Sequence, residues 1–186
     1  MKGISIRPMM SADKAAVEHI CIETAPPFLC SNDKRREYTL LMYNRYYTRV
    51  LQHSFVVVDT NDKPVGYILC APDYKSYKQD FYRNELADIR RLGIFYSISA
   101  RSEVCSVSKY AKKYPAHLHI DILPAYQGRH IGKELMNALF HHLKEQHISG
   151  LMLSVSRENK GAIAFYEKCG FRVLSKGAGL VYGMKL

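Results

Sequence analysis

The residues Gln127-Gly128-Arg129-His130-Ile131-Gly132-Lys133 could grip an anion. Before them, His117 to Leu123 is apolar and β-branched, a strand pattern with little exposed surface. Pro124 has no N–H to extend a ladder and closes that strand. After them, Ile131, Leu135, Ala138, Leu139 and Leu143 recur at helical spacing. Residues 116–146 therefore read as strand, tight loop and helix. Such a unit aims several backbone N–H groups, the positive helix end and the side chains of Arg129 and Lys133 at one point, where phosphate oxygens are the natural occupant. The patterns GxxxxGK[ST] and GxGxxG are both absent, which excludes the common nucleoside-triphosphate and dinucleotide loops.

A second constellation lies on the strand itself. His117, His119 and Asp121 alternate onto one face. His119 or Asp121 could take a proton from a substrate, directly or through water. Two imidazoles and a carboxylate also suffice for a catalytic zinc, and a buried hydrogen-bonded network is a third reading. His141, His142 and His147 read as helix surface. The five cysteines (Cys21, Cys30, Cys70, Cys105, Cys169) are odd in number and form no CxxC, so reduced thiols are expected rather than a disulfide framework or zinc site. Neither Cys70 nor Cys105 has a sequence-local partner to activate it as a nucleophile.

Other elements must position these groups. Gly3 to Arg7 alternates like a first strand, and Ser11-Ala12-Asp13 starts a helix that Pro26-Pro27 ends. Ser31 to Leu51 reads as a second helix carrying Tyr38, Tyr43, Tyr46 and Tyr47. Tyrosine at this spacing is more often core edge, with an acceptor cleft as the alternative. Ser54–Asp59 and Val65–Cys70 make a hairpin about Asn61-Asp62-Lys63. Residues 71–115 are too long for a turn and hold a helix over Tyr77–Leu92 followed by a less regular piece, which suits a lid, an acceptor wall or a packed elaboration. Leu151–Ser156 is a strand and Asn159–Lys168 a helix with Asn159 near its N-cap. Phe171–Leu174 and Leu180–Met184 close the sheet as a hairpin.

At 186 residues, 47% hydrophobic and 24% charged, the chain has the size and composition of one globular domain, 1–186. No apolar run approaches the roughly 20 residues of a membrane helix. MKGISIRPMM lacks an apolar signal core, so a cytoplasmic protein with no membrane partner is expected. The formal charge of +10 suits a polyanionic cofactor or an acidic acceptor, with a diffuse basic surface serving no specific partner as the alternative. Nucleic acid is a less favoured partner because the basic residues are scattered rather than massed. A monomer or homodimer is expected.

The stretch Leu123-Pro124-Ala125-Tyr126-Gln127-Gly128-Arg129-His130-Ile131-Gly132 resembles the acyl-CoA loop of the GNAT superfamily of N-acetyltransferases, Q/R-x-x-G-x-G/A. Downstream, Asn159-Lys160-Gly161-Ala162-Ile163-Ala164-Phe165-Tyr166-Glu167-Lys168-Cys169-Gly170-Phe171 is similar to the family's N-x-x-A-x-x-F-Y-x-x-x-G-F segment. The resemblance implies an α/β (α+β) fold, a mixed and mostly antiparallel sheet of about seven strands flanked by helices, with 71–115 as a helical insertion before the cofactor strand. It implies acetyl-CoA as co-substrate, no metal, and an amine acceptor, either a small molecule or a protein amine. Gln127, Gly128, Arg129, His130, Ile131, Gly132 and Lys133 would anchor the pyrophosphate. Ile122 and Leu123 would offer backbone to the pantetheine arm. Tyr166 would be general acid to the leaving thiolate, and Asn159 would orient the arm or cap its helix. Asp121 and His119 remain the candidate bases.

One motif position departs: His130 stands where the family has its first glycine, a place that favours close phosphate approach and an unusual φ. Histidine enters the left-handed region more readily than most residues, so the fold tolerates it. Together with Tyr114–Pro124 and the long preceding segment, the chain is similar to the acetyltransferase-like domain at the C-terminus of the protein O-GlcNAcase and its bacterial relatives. The resemblance leaves two functions open: an N-acetyltransferase working by direct attack in a ternary complex, or a catalytically inactive module docking a polyanionic or protein partner.

Overall fold

Alternating apolar residues and tight turns build the sheet from hairpins outward. In the computed structural model, which describes residues 3–186, Ile4–Pro8 (β1), Phe55–Asp59 (β2) and Pro64–Ala71 (β3) form an antiparallel run. Met1 and Lys2, at the head of the stretch read above for a leader, lie outside the described residues. Asp59 turns the β2–β3 hairpin, its carboxylate accepting from the N–H groups of Asn61 and Lys63. Ala116–Ile122 (β4), Gly150–Ser156 (β5), Arg172–Lys176 (β6) and Gly179–Lys185 (β7) complete a seven-stranded sheet in the order β1-β2-β3-β4-β5-β7-β6. Every pair is antiparallel except β4–β5. The single domain is thus the mixed, mostly antiparallel architecture expected.

Helices cover both faces. On one lie Lys14–Thr24 (α1), Asp33–Tyr43 (α2), Tyr74–Arg83 (α3), Glu85–Leu92 (α4) and Ile94–Ser108 (α5), packed on Val56, Val58, Tyr67, Leu69 and Met152. On the other, Ile131–Glu145 (α6) and Lys160–Lys168 (α7) pack on Val57, Ile68, Leu118, Leu151 and Leu153. Leu135, Leu139 and Leu143 of α6 are fully buried, as their helical spacing requires. Among the described residues no helix is long and apolar enough to cross a membrane.

Two helical expectations need correction. The reading of Ser31–Leu51 as one helix is too long, since α2 stops at Tyr43. Leu40 O accepts from both Asn44 and Arg45 N–H at 2.9 Å, and Asn44 turns inward toward Val17 O. Burial of Asn44, Tyr46 and Tyr47 on the following turns overrides the helical spacing. The expected helix Tyr77–Leu92 is two helices that meet at Asn84. Arg49 ties them together by pairing with both Asp80 and Glu85. The supposedly irregular piece after it is α5. Ile94, Phe95 and Ile98 are exposed while Ala100, Val104 and Val107 are buried, so apolar residues on both faces hide the helical period.

Candidate active site

Strands β4 and β5 hydrogen-bond only at Ala116↔Leu151 and His117↔Met152. Beyond that point β4 pairs with β3 alone and β5 with β7 alone. The sheet therefore splits in its middle, and the β4 edge facing the split is available to an extended, amide-bearing ligand.

The loop at the end of β4 is braced from within. Leu123 N–H donates to Val65 O at 3.0 Å, and a single turn at Pro124–Tyr126 follows. The Gln127 side-chain amide donates to Ile122 O at 2.7 Å, so part of this residue serves the loop's own shape. His130 takes φ 62° and ψ 4°, the left-handed conformation, directly before α6. The buried side chain of Ile131 then pins the first helical turn. A Cβ on Gly132 would lie 3.1 Å from the Phe165 ring and 3.5 Å from Ile122 Cδ1, so this glycine lets α7 and β4 close on the helix start. Among the described residues, nothing accepts from the N–H groups of Gly128 through Gly132. The Arg129 guanidinium lies 5.5 Å over the Tyr126 ring, and neither it nor Lys133 is ion-paired among the described residues. Unpaired amides and the positive end of a helix dipole are what an anion would meet here.

On α7, Asn159 is committed to capping, its side-chain oxygen accepting from Ala162 N–H at 3.0 Å. Tyr166 is buried among Phe165, Phe171 and Tyr182, with ring centroids 5.4, 5.8 and 6.2 Å away. Its hydroxyl makes no hydrogen bond among the described residues. Burial pushes this phenol above its usual range, with smaller contributions from Asp121 and Cys169. It is therefore protonated at neutral pH, with a proton to give.

The face carrying His117, His119 and Asp121 divides in its roles. His117 is buried, its Nδ1 2.8 Å from Tyr47 Oη. Burial and the neighbouring His119 hold it well below the usual imidazole range. His119 stands between the rings of Tyr43 and Tyr47, 5.1 and 5.4 Å away, and burial lowers it to about 4. Both imidazoles are neutral at pH 7. Burial raises the Asp121 carboxyl to about 6 against the opposing hydrogen bond from the Tyr67 hydroxyl. No three His, Cys, Asp or Glu side chains gather as a metal cluster among the described residues. Of the histidines read as helix surface, His141 pairs with Glu145, but His142 packs inward with its Nε2 2.9 Å from His53 Nδ1.

Tyr47, read from the sequence as core edge, is fully buried and is the partner of His117, whereas Tyr67, the partner of Asp121, and Glu103 were missed by sequence reasoning. A signal for Glu103 exists: it stands among Ala100, Val104 and Val107, a charge on the apolar face of α5. Its carboxylate accepts from Tyr43 Oη at 3.0 Å, and burial raises its pKa.

The sheet parts in its middle beside a helix start whose amides are free, with a protonated phenol on the neighbouring helix. The chain belongs to the acetyltransferase (GNAT) family, whose model matches residues 17–171. An uncharacterized N-acetyltransferase of Methanocaldococcus jannaschii is 27% identical over 121 residues, covering 64% of this chain and 39% of that relative. The match thus spans about two fifths of that relative's length. Among solved structures, SsHAT superposes with a TM-score of 0.86 at 25% identity, covering 98% of both chains. The PaiA N-acetyltransferase of Thermoplasma acidophilum in complex with coenzyme A superposes at 0.62 and 16% identity, covering 98% of this chain and 99% of that one, and shares the fold.

Proposed function

We propose that the chain transfers an acetyl group from acetyl-CoA to an amine acceptor by direct attack within a ternary complex. The observation that carries this reading is the split between β4 and β5, with the free amides of Gly128–Gly132 at the head of α6 and the unpartnered Tyr166 hydroxyl of α7 on the same face of the sheet. The residues fit the co-substrate. The loop amides, that of His130 among them, take the pyrophosphate with the side chains of Arg129 and Lys133, Gln127 and Ile131 fix the loop's shape, and the β4 edge at Ile122 and Leu123 takes the pantetheine amides.

In the reaction the amine nitrogen bonds to the thioester carbonyl carbon and the carbon–sulfur bond breaks. The ammonium form must first lose a proton. Asp121 is ionised at pH 7 yet raised to about 6, which makes it the stronger base of the pair. His119, at about 4, serves as a neutral relay for that proton. Tyr166 donates to the departing sulfur as the carbon–sulfur bond breaks, and the second proton lost from the acylated nitrogen returns through water to restore the phenol. Burial raises this phenol above its ordinary value near 10, so proton transfer to a thiolate near 8.5 is uphill on its own and takes place together with carbon–sulfur cleavage rather than before it.

The test is acetyl-CoA turnover, read as thiol release, against a panel of primary amines and lysine peptides. Tyr166→Phe keeps the ring and removes only an unbonded hydroxyl. It is expected to lower turnover by about 10²- to 10⁴-fold with acetyl-CoA affinity unchanged. A variant turning over within about threefold of wild type would overturn the assignment of the acid.

A further inference from the structure

Between α2, α5 and β4 lies a pocket of about 20 Å³, room for one water-sized group, which shares His119 with the transfer chemistry above but whose Glu103 that chemistry leaves unassigned. Tyr43, Tyr74 and Tyr77 form its walls, and Glu103 stands in it as its one carboxylate. On the sheet side it is bounded by His119 of β4 and Ser154 of β5. These two follow His117 and Met152 on the same face, and His117↔Met152 is the last pair before the strands part. The pocket therefore abuts the split from the side opposite α6 and α7.

Glu103 shares with Asp121 the state of a carboxylate held by a tyrosine hydroxyl without an ion pair among the described residues, and within its own segment it stands alone in this. Elsewhere between β3 and β4, every carboxylate is accounted for. Asp73 caps α3, Asp80 and Glu85 pair with Arg49, and Asp88 pairs with Arg91. Glu103 has no cationic partner among the described residues and accepts only the Tyr43 hydroxyl. A half-buried carboxylate without a counter-ion is costly, the more notably in a chain of formal charge +10. The other titratable groups facing it are the phenols of Tyr43, Tyr74 and Tyr77 and the imidazoles of His117 and His119. None of these is cationic at neutral pH, because burial lowers both imidazoles.

We infer that this pocket receives the ammonium group of the acceptor, with Glu103 as counter-ion and the tyrosine rings as walls. An ammonium ion supplies the missing charge, and electron-rich ring faces favour a cation over a neutral group. The acceptor class is a primary amine that arrives charged on a slender apolar arm; an acceptor with a carboxylate beside its amine would be repelled by Glu103. The inference rests on the acetyl-transfer reading, and it makes Glu103 a specificity residue contributed by the segment between β3 and β4.

The probe is n-butylammonium chloride, titrated into the chain saturated with CoA and followed by backbone amide shifts, with 1-butanol as the neutral control. Saturable shifts along α5 and β4 are expected for the ammonium and none for the alcohol. Glu103→Gln keeps the size and the acceptor for Tyr43, and it is expected to weaken the ammonium about tenfold while CoA affinity holds. Tyr43→Phe keeps the ring and is expected to retain ammonium binding. Absence of saturable binding in wild type, or equal affinity in Glu103→Gln, would overturn the inference. Failure of CoA to bind wild type would instead overturn the transfer reading, and ammonium binding would then be read in the ligand-free chain.

Discussion

Replacing His130 in turn by glycine and valine separates backbone strain from side-chain chemistry at the head of α6. The wild-type imidazole is exposed and makes no hydrogen bond among the described residues, so its removal forfeits no contact. What changes is the cost of holding φ 62°. A residue with a Cβ loses roughly 1–2 kcal/mol in the left-handed region, and histidine sits at the low end. Glycine escapes that cost but gives back about 0.4–1 kcal/mol through the freer unfolded chain. The His130→Gly protein is thus expected to be more stable by about 0.5 kcal/mol, a rise in Tm of roughly 1–2 °C for a chain of this size. His130→Val puts a branched side chain where branching is least tolerated and is expected to lose about 1–2 kcal/mol. Acetyl-CoA affinity should follow the same order. Glycine is expected to match or exceed wild type, while valine weakens binding by about tenfold as its methyls crowd the loop amides. Urea unfolding and calorimetric titration read both quantities. A His130→Val protein as stable and as tight-binding as wild type would refute the reasoning. A large loss of affinity in His130→Gly would show that the imidazole itself holds phosphate.

Two further outcomes concern stability. Unfolded His117 and His119 take protons near pH 6.5, whereas in the fold His119 waits until about 4 and His117 is also held well below its ordinary value. The unfolded state then binds more protons across that window, so stability falls as pH is lowered from about 6.5 towards 4. Asp121 opposes this below about 6, because its folded carboxyl takes up a proton before the unfolded one does. His119→Gln is expected to flatten the slope of urea midpoint against pH; an unchanged slope would contradict the buried, neutral state of this ring. On α6, Leu139→Ala is expected to cost about 2–5 kcal/mol in urea unfolding, since Leu139 is fully buried between the helix and the sheet. A cost below about 1 kcal/mol would mean that α6 is not packed as described.

The parts of the fold that were legible in the sequence are those where one local rule acts alone. The strand–loop–helix of residues 116–146 could be read because apolar spacing, Pro124 and the glycines agree with the tertiary packing. Asn159 was legible as a cap for the same reason. The end of α2 was not, because Asn44 and Tyr47 leave helical spacing to reach partners far away in the chain, among them His117. Likewise α5 hid behind apolar residues that stay exposed. In the site, the alternation of His117, His119 and Asp121 was visible, but their inequality was not. It depends on tertiary burial of each group, in which Tyr47 and Tyr67 take part from 70 and 54 residues away in the chain. Glu103 is the instructive omission: a charge on an apolar helical face is a readable anomaly once the helix itself is recognised.

The most direct measurement is calorimetric titration of the chain with acetyl-CoA at two salt concentrations, with dephospho-CoA as comparison. Saturable one-site binding on the order of micromolar, weakened by salt and weaker for dephospho-CoA, is the result expected of an anion site built from Gly128–Gly132 with Arg129 and Lys133. Absence of binding at either salt concentration would contradict the account at its centre.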